Sequence, residues 1–262
     1  MKHPLNYQTF GRRQDTALLL VHPLGTDLRF WEECIALWEP RFYGVAPDLQ
    51  AAGKSPRPEV PVTIPGHAED LEQLRQTLGV KAVVPIGCAL GGMVAACFAA
   101  HYPQATRALV MTNPGLGSTD AAKDMLRKRV QTLRTTGVAA PLPDAADRAF
   151  FNLPHDARYQ RHVERFAAQD PETFARSVLG FVDADISGEL ARVKCPALIV
   201  SGEHDILMPT DSAQRIKEIV PQAQCILMRG VAHFLPFQAP ERFAAMVSGF
   251  LEQALRAQPG QT

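Results

Sequence analysis

Lys81 to Tyr102 reads KAVVPIGCALGGMVAACFAAHY. Val83-Val84-Pro85-Ile86 is a short apolar run of the kind buried on both faces of a parallel sheet. Beyond it Leu90, Met93, Val94, Cys97, Phe98 and His101 recur at i, i+3, i+4 and i+7, which predicts a helix. Between the two lies Gly87-Cys88-Ala89-Leu90-Gly91-Gly92, a tight glycine-rich corner.

That corner has the frame G-x-S-x-G, in which a sharp strand-to-helix turn lifts one residue above the sheet in a strained backbone conformation. Such a turn leaves no room for a Cβ two positions before or after its apex, so Gly87 and Gly91 are steric requirements, and Gly92 lets the helix pack close to the strand. The apex, where a nucleophile would stand, is Ala89. A methyl group cannot attack a carbonyl.

Working outward, Ala17 to Val21 is a buried strand that runs into the turn His22-Pro23-Leu24-Gly25-Thr26, and Asp27 is placed to cap the helix carrying Phe30, Trp31, Cys34, Ile35 and Trp38. The first ten residues suggest a short edge hairpin. Strands at 43–46 and 108–111 flank a helix over 63–78 and the corner itself. This alternation predicts a mostly parallel, doubly wound α/β sheet. From Ser118 to Val193 no strand pattern occurs, and the segment is rich in helix formers and arginine. It is too long for a simple loop and reads as a helical cap over the crevice, inserted after the sixth core strand if the hairpin counts as two. The expected division is therefore a core over 1–117, a cap over 118–193 and the rest of the core over 194–262, with a frayed tail from Ala257.

The sheet resumes at Pro196 to Val200 and delivers Ser201-Gly202-Glu203-His204-Asp205. A later strand, Cys225 to Met228, delivers Arg229-Gly230-Val231-Ala232-His233, and a helix from Pro240 to about Leu255 closes the core. Apex at 89, acid at 205 and base at 233 follow one another at the carboxyl ends of successive strands, where open α/β sheets bind ligands. A carboxylate is needed to hold an imidazole in one tautomer and to stabilise its cation, which assigns Asp205 and His233 to those roles. Asn113, an amide, cannot replace the acid. His204 reads as a loop residue and His22 as a residue that orients its turn. An oxyanion would find the backbone N–H of Leu90 at a helix start and, because Pro23 has no N–H, that of Leu24. Cys88 is a less suitable nucleophile, since it precedes the apex and points away, and Ser55 and Ser118 lack the turn.

Lys plus Arg and Asp plus Glu balance at 27 each, which gives no electrostatic case for nucleic acid or an anionic membrane. Five scattered cysteines without a C-x-x-C pair read as reduced thiols. With no apolar run long enough for a signal peptide or membrane span, a cytoplasmic protein acting on a small molecule is expected. No metal or cofactor is expected, because no ligand cluster stands at a recognisable spacing. The sequence leaves open whether the chain is a monomer or a homodimer.

The motifs HPLGTD at 22–27, DLQAAGKSP at 48–56, GCALGG at 87–92, SGEHDILMP at 201–209 and GVAHFLPFQAPE at 230–241 together resemble the α/β-hydrolase fold superfamily over nearly the whole chain. Within it the chain most resembles the 3-oxoadipate enol-lactonase and carboxylesterase branch. The residues carrying that likeness are the Leu-Gly-Thr turn followed by Trp31, and RTTGVAA at 134–140 with GFVDAD at 180–185 in the cap. The resemblance implies a hydrolase of small esters or lactones working through an acyl-enzyme in aromatic-compound catabolism. It maps the nucleophile position to Ala89, the acid to Asp205, the base to His233 and the oxyanion hole to the amides of Leu24 and Leu90. Trp31, Phe150 and Phe151 would wall the pocket and Arg134 would meet a substrate carboxylate.

Ala89 departs from the pattern and keeps alternatives open. One is a natural alanine enzyme in which His233 and Asp205 form a general base, as a lyase, decarboxylase, isomerase or water-attack hydrolase. The other is a ligand-binding protein, against which retention of both side chains counts.

Overall fold

A computed structural model of the chain describes residues 4–139, 142–208 and 211–256. The expected fraying of 257–262 lies outside them, as do Ala140 of the cap motif and Pro209. Seven strands form one sheet in the order β1-β3-β2-β4-β5-β6-β7. They are β1 (Tyr7–Phe10), β2 (Thr16–Val21), β3 (Gly44–Pro47), β4 (Ala82–Cys88), β5 (Leu109–Thr112), β6 (Ala197–Gly202) and β7 (Gln224–Met228). Only β1 is antiparallel, on β3; every other pairing is parallel.

No amino-terminal hairpin forms among the described residues. The Asn6 N–H donates to Ser55 Oγ at 2.9 Å and its side-chain amide to Asp48 at 2.7 Å, so this segment is tied to the loop after β3 and not to a second strand. The helical insertion accordingly follows the fifth strand, where the sequence pattern suggests the sixth.

Side chains along the central strands alternate between two apolar layers, as the period of two in a strand requires. Leu18, Leu20, Val84, Ile86, Val110 and Val200 face one layer with α1 (Glu32–Trp38) and α11 (Pro240–Arg256), and the short α10 (Leu235–Gln238) leads into α11. Ala17, Leu19, Val21, Val83, Leu109 and Ile199 face the other layer with α2 (Ile64–Thr77) and α3 (Leu90–His101), and α9 (Asp211–Ile219) adds the buried Ile216. A fully buried Leu or Ile in either layer is worth about 1.5–3 kcal/mol relative to exposure. Asp27 caps a 3-10 turn over Leu28–Trp31, accepting from the Arg29 N–H, and Thr63 caps α2 in the same way through Gly66.

Between β5 and β6 lie α4 (Asp120–Thr136), α5 (Leu142–Ala149), α6 (Ala157–Ala167), α7 (Pro171–Phe181) and α8 (Ser187–Leu190). Gly117 and Asp185 form an antiparallel bridge where the chain leaves and rejoins the core. After it, Ile186, Leu190 and Val193 join the layer of α3. The amphipathic helices α4 to α7, of which α4, α6 and α7 are capped by Thr119, Asp156 and Asp170, stand over the carboxyl ends of the strands. No described helix is long and apolar enough to cross a membrane.

Candidate active site

The floor of the site is set by close backbone approaches. A Cβ on Gly87 would stand 2.0 Å from the Gly91 carbonyl oxygen, and one on Gly91 would stand 2.2 Å from the Val21 carbonyl oxygen. Only glycine lets α3 begin directly above the ends of β4 and β2. Ala89 takes φ 49° and ψ −114°, a conformation an alanine adopts only when its surroundings impose it. Its N–H donates to the Thr112 carbonyl at 2.9 Å, which fixes the apex against β5. Leu90 opens α3, so its N–H lacks an intrahelical acceptor and carries the positive end of the helix dipole.

The turn after β2 is held by His22, which is buried. Its Nδ1–H donates to the Pro23 carbonyl at 2.9 Å and its Nε2 accepts from the Leu49 N–H at 3.0 Å. That pairing specifies the neutral tautomer, and burial lowers the pKa of the ring below the usual histidine value. The Thr26 hydroxyl donates to the same Pro23 carbonyl at 2.8 Å. Leu24 therefore stands in a turn whose orientation is fixed on both sides.

His233 and Asp205 meet across the loops after β7 and β6. Nδ1–H donates to Asp205 Oδ2 at 2.9 Å. The other carboxylate oxygen accepts from the Leu207 and Met208 N–H groups at 2.8 and 3.0 Å, so Asp205 cannot rotate away. Both side chains are buried. Asn113 braces the base from beneath. Its Nδ2 donates to the Ala232 and His233 carbonyls, each at 2.8 Å, and its Oδ1 accepts from the Gly202 N–H at 2.7 Å. Cys88 is wholly buried with its thiol toward the His233 carbonyl, and burial drives that thiol far above its usual range, which removes it as a nucleophile.

Ala89, Leu24 and His233 border a single cavity of about 120 Å³, closed from the cap side by Arg129, Arg148 and His162. Leu24 and Leu90 also border a small cleft with His22 and Gly25. The pocket residues suggested by the resemblance stand elsewhere. Trp31 is fully buried in the core, edge-on to Phe30 at 5.0 Å and tilted against Phe243 at 6.2 Å. Phe150 packs behind the wall, 5.7 Å from the His162 ring, and Phe151 is 42% exposed. Arg134 pairs with Glu172, Nε to Oε2 at 2.8 Å, away from the cavity. The phase of α4 explains this: Leu126 and Arg129 reach the cavity while Val130 and Leu133 are buried, and Arg134 lies a further 100° round.

Arg129, Arg148, His162 and Asn113 are the residues the sequence reading did not assign to the site. A signal existed for two of them. Arg129 interrupts the apolar stripe of α4, and His162 sits between Tyr159 and Phe166 on the stripe of α6. The sequence reading also finds no metal-ligand spacing, yet Cys97 and His101, one turn apart on α3, bring ligand atoms within 4.8 Å of one another and of Glu189. Neither Cys97 nor Glu189 borders the cavity beside Ala89, and burial pushes the Cys97 thiol up to about 12.

The sequence matches a family model described as alpha/beta hydrolase fold over residues 16–240. It is 23% identical over 252 residues to 3-oxoadipate enol-lactonase 2 of Acinetobacter baylyi, an alignment covering 95% of this chain and 93% of that one. Among solved structures it superposes on the enol-lactonase of Burkholderia xenovorans with a TM-score of 0.89 at 23% identity, over 95% and 96% of the two chains. A thermophilic esterase of Thermogutta terrifontis gives 0.88 at 24% identity, over 95% and 93%. At these identities the structural likeness establishes the fold.

Proposed function

The chain belongs to the alpha/beta hydrolase fold family, and on that premise we propose that its cavity takes a small ester or lactone, enol-lactones included, and presents the carbonyl to residue 89. The observation that carries this reading is the His233–Asp205 pair, joined at 2.9 Å, on the same cavity as a strained apex at Ala89. A receptor has no use for a buried, oriented imidazole above an apex of that kind.

With serine at residue 89 the parts complete an acyl-transfer relay. The hydroxyl oxygen attacks the carbonyl carbon, His233 Nε2 takes its proton, and Asp205 stabilises the imidazolium. The Leu24 and Leu90 N–H groups receive the oxyanion, each such donor being worth about 3–4 kcal/mol of barrier. His233 then returns the proton to the leaving alcohol, and water releases the acyl group by the same route. With alanine there is no oxygen to acylate, so the substrate is held without forming an acyl-enzyme. The five cysteines are all free thiols, which suits the reducing cytoplasm where we place the protein. Aromatic-compound catabolism is the setting suggested by the enol-lactonase likeness.

A second reading is favoured by Ala89 itself. Where the nucleophile is a methyl group and the dyad is intact, His233 acts as a general base on water or on a substrate carbon, with the two amides steadying the anion.

The test is activity of the chain beside its Ala89→Ser variant on p-nitrophenyl esters and small lactones, with His233→Ala added as a control. Turnover confined to the serine form and abolished by His233→Ala supports the acyl-enzyme reading. An inert serine form, with the alanine form consuming a substrate, replaces it with the general-base reading.

A further inference from the structure

A second cavity, of about 450 Å³, lies between the start of α2, the side of α3, the end of α7 and α8, and Thr63, Pro65, Cys97, Asp183, Asp185 and Glu189 border it. It shares no lining residue with the cavity beside Ala89, so its chemistry is independent of the acyl-transfer reading. Two of its walls carry metal-binding side chains. Cys97 and His101 stand four residues apart on α3 and so project from one face of that helix, and Glu189 meets them from α8. One ligand atom from each, a sulfur, a ring nitrogen and a carboxylate oxygen, all lie within 4.8 Å of one another. Around a tetrahedral zinc the same separations are about 3.5 Å, as bond lengths of about 2.3 Å to sulfur and 2.0 Å to nitrogen require. Side-chain movements of about 1 Å close the difference.

The backbone carrying these ligands is already fixed. Cys97 is buried in α3, and Ile186 and Leu190, on either side of Glu189 in the chain, are buried in the same apolar layer. The Ile186 N–H donates to the Leu116 carbonyl at 2.9 Å, which ties the entry to α8 to the loop after β5. Ligands held in this way lose little freedom on binding. Local charge also favours a cation. Glu189 and Glu69 both act on Cys97, opposed by Arg192. Among the carboxylates of the cavity wall, Asp183 is engaged by Arg127 and Asp185 accepts from the Ser187 N–H. Glu189 has only a loose contact with the half-exposed Arg192, at 3.7 Å, and such pairs are worth little.

We propose that Cys97, His101 and Glu189 form a zinc site whose fourth position opens to the adjoining cavity. Thiolate and imidazole select zinc over magnesium and calcium, which take oxygen ligands. On binding, the Cys97 S–H bond breaks and its proton passes to the buffer as the Zn–S bond forms. Three protein ligands with an open position are the pattern of zinc sites that keep a water or small ligand, whereas closed structural sites use four. The metal also joins α3, which begins beside Ala89, to α8, which returns the chain from the cap to the core.

The experiment is titration of the metal-free, untagged chain with Co²⁺ and then Zn²⁺, in a Cys225→Ser background that removes the exposed thiol. A single equivalent of Co²⁺ is expected to give a thiolate-to-metal charge-transfer absorption that Zn²⁺ bleaches and Mg²⁺ leaves in place. Cys97→Ala should abolish the absorption, and His101→Gln and Glu189→Gln should each weaken Zn²⁺ binding about tenfold or more. Zinc should raise the melting temperature of the parent and not of the variants. No charge-transfer absorption in the parent, or zinc affinity unchanged in His101→Gln and Glu189→Gln, overturns the site. His101 closes α3 and Glu189 lies on a short, half-buried helix, so these two variants decide the question even where Cys97→Ala fails to fold.

Discussion

Asn113 shows how much of the site depends on a residue that performs no chemistry. It is 1% exposed, holds a positive φ of 43° and spends three hydrogen bonds fixing the loops that carry Asp205 and His233. Asn113→Leu removes the partner of the Gly202 N–H and of the Ala232 carbonyl and leaves the His233 carbonyl only the Cys88 thiol, each lost partner costing about 1–3 kcal/mol. The expected outcome is an unfolding free energy from urea titration lowered by several kcal/mol and, in the Ala89→Ser background, a fall in kcat that exceeds any rise in KM. Unchanged stability would contradict the bracing role. The strained corner at residue 89 and the pairing of Asp205 with His233 were legible in the sequence because glycines and strand ends mark them: Gly87 and Gly91 bracket residue 89, and Asp205 and His233 close strand-to-loop transitions. Arg129 and Arg148 were not. An arginine-rich amphipathic helix states which residues share a face, but the face that meets the cavity is decided by how the cap sits on the core. For the same reason Arg134 was expected to face a cavity it does not border, while Trp31 turns into the core against Phe30 and Phe243, because an aromatic after a turn fits core and pocket equally well.

At the scale of elements, the elbow and the cap make opposite demands. The β4 to α3 junction tolerates no added atom, with a Cβ at Gly87 meeting backbone at 2.0 Å. Gly87→Ala should therefore abolish folding or cost more than about 4 kcal/mol, the range reserved for severe core disruption. Gly249, exposed on α11 with nothing within 4 Å of an added Cβ, gives the matched contrast. Gly249→Ala should stabilise by about 0.5–1 kcal/mol through helix propensity. Thermal melts of the pair check both, and similar effects at the two sites would contradict the steric account. The cap is fastened at a few points. The His233 N–H donates to the Ala149 carbonyl at 3.2 Å, and Gln238 bridges that carbonyl to the Ala232 N–H, each contact at 2.9 Å. The end of α5 thus bears on the loop that carries His233.

For the whole molecule, buried imidazole rings set a pH dependence of stability, His22 acting in the same direction as His67 and His162. Burial pushes His67 and His162 down to about 4, against 6.5 for a free imidazole. Between those values the unfolded chain binds protons that the folded chain does not, so stability falls as pH falls through the window. Each ring contributes a slope of up to about 1.4 kcal/mol per pH unit there and none above it. Urea midpoints should drop between pH 7 and pH 5, and His67→Leu should flatten the drop, since the ring's Nδ1 is buried without a partner. A flat profile over that range would show that the rings are not held neutral. The mostly parallel, doubly wound sheet was legible from strand alternation, whereas the tie of Asn6, just before the first strand, to Asp48 and Ser55 was not, because those contacts join residues about 40 to 50 positions apart. The proposed reading of the whole arrangement is a hydrolase site whose missing part is one oxygen atom. The most direct measurement is mass spectrometry of the Ala89→Ser protein after exposure to diethyl p-nitrophenyl phosphate, beside the unsubstituted chain and an Ala89→Ser/His233→Ala form. Stoichiometric phosphorylation at residue 89, lost without His233 and absent from the unsubstituted chain, is the result expected. An Ala89→Ser protein that folds and stays unmodified would contradict the account.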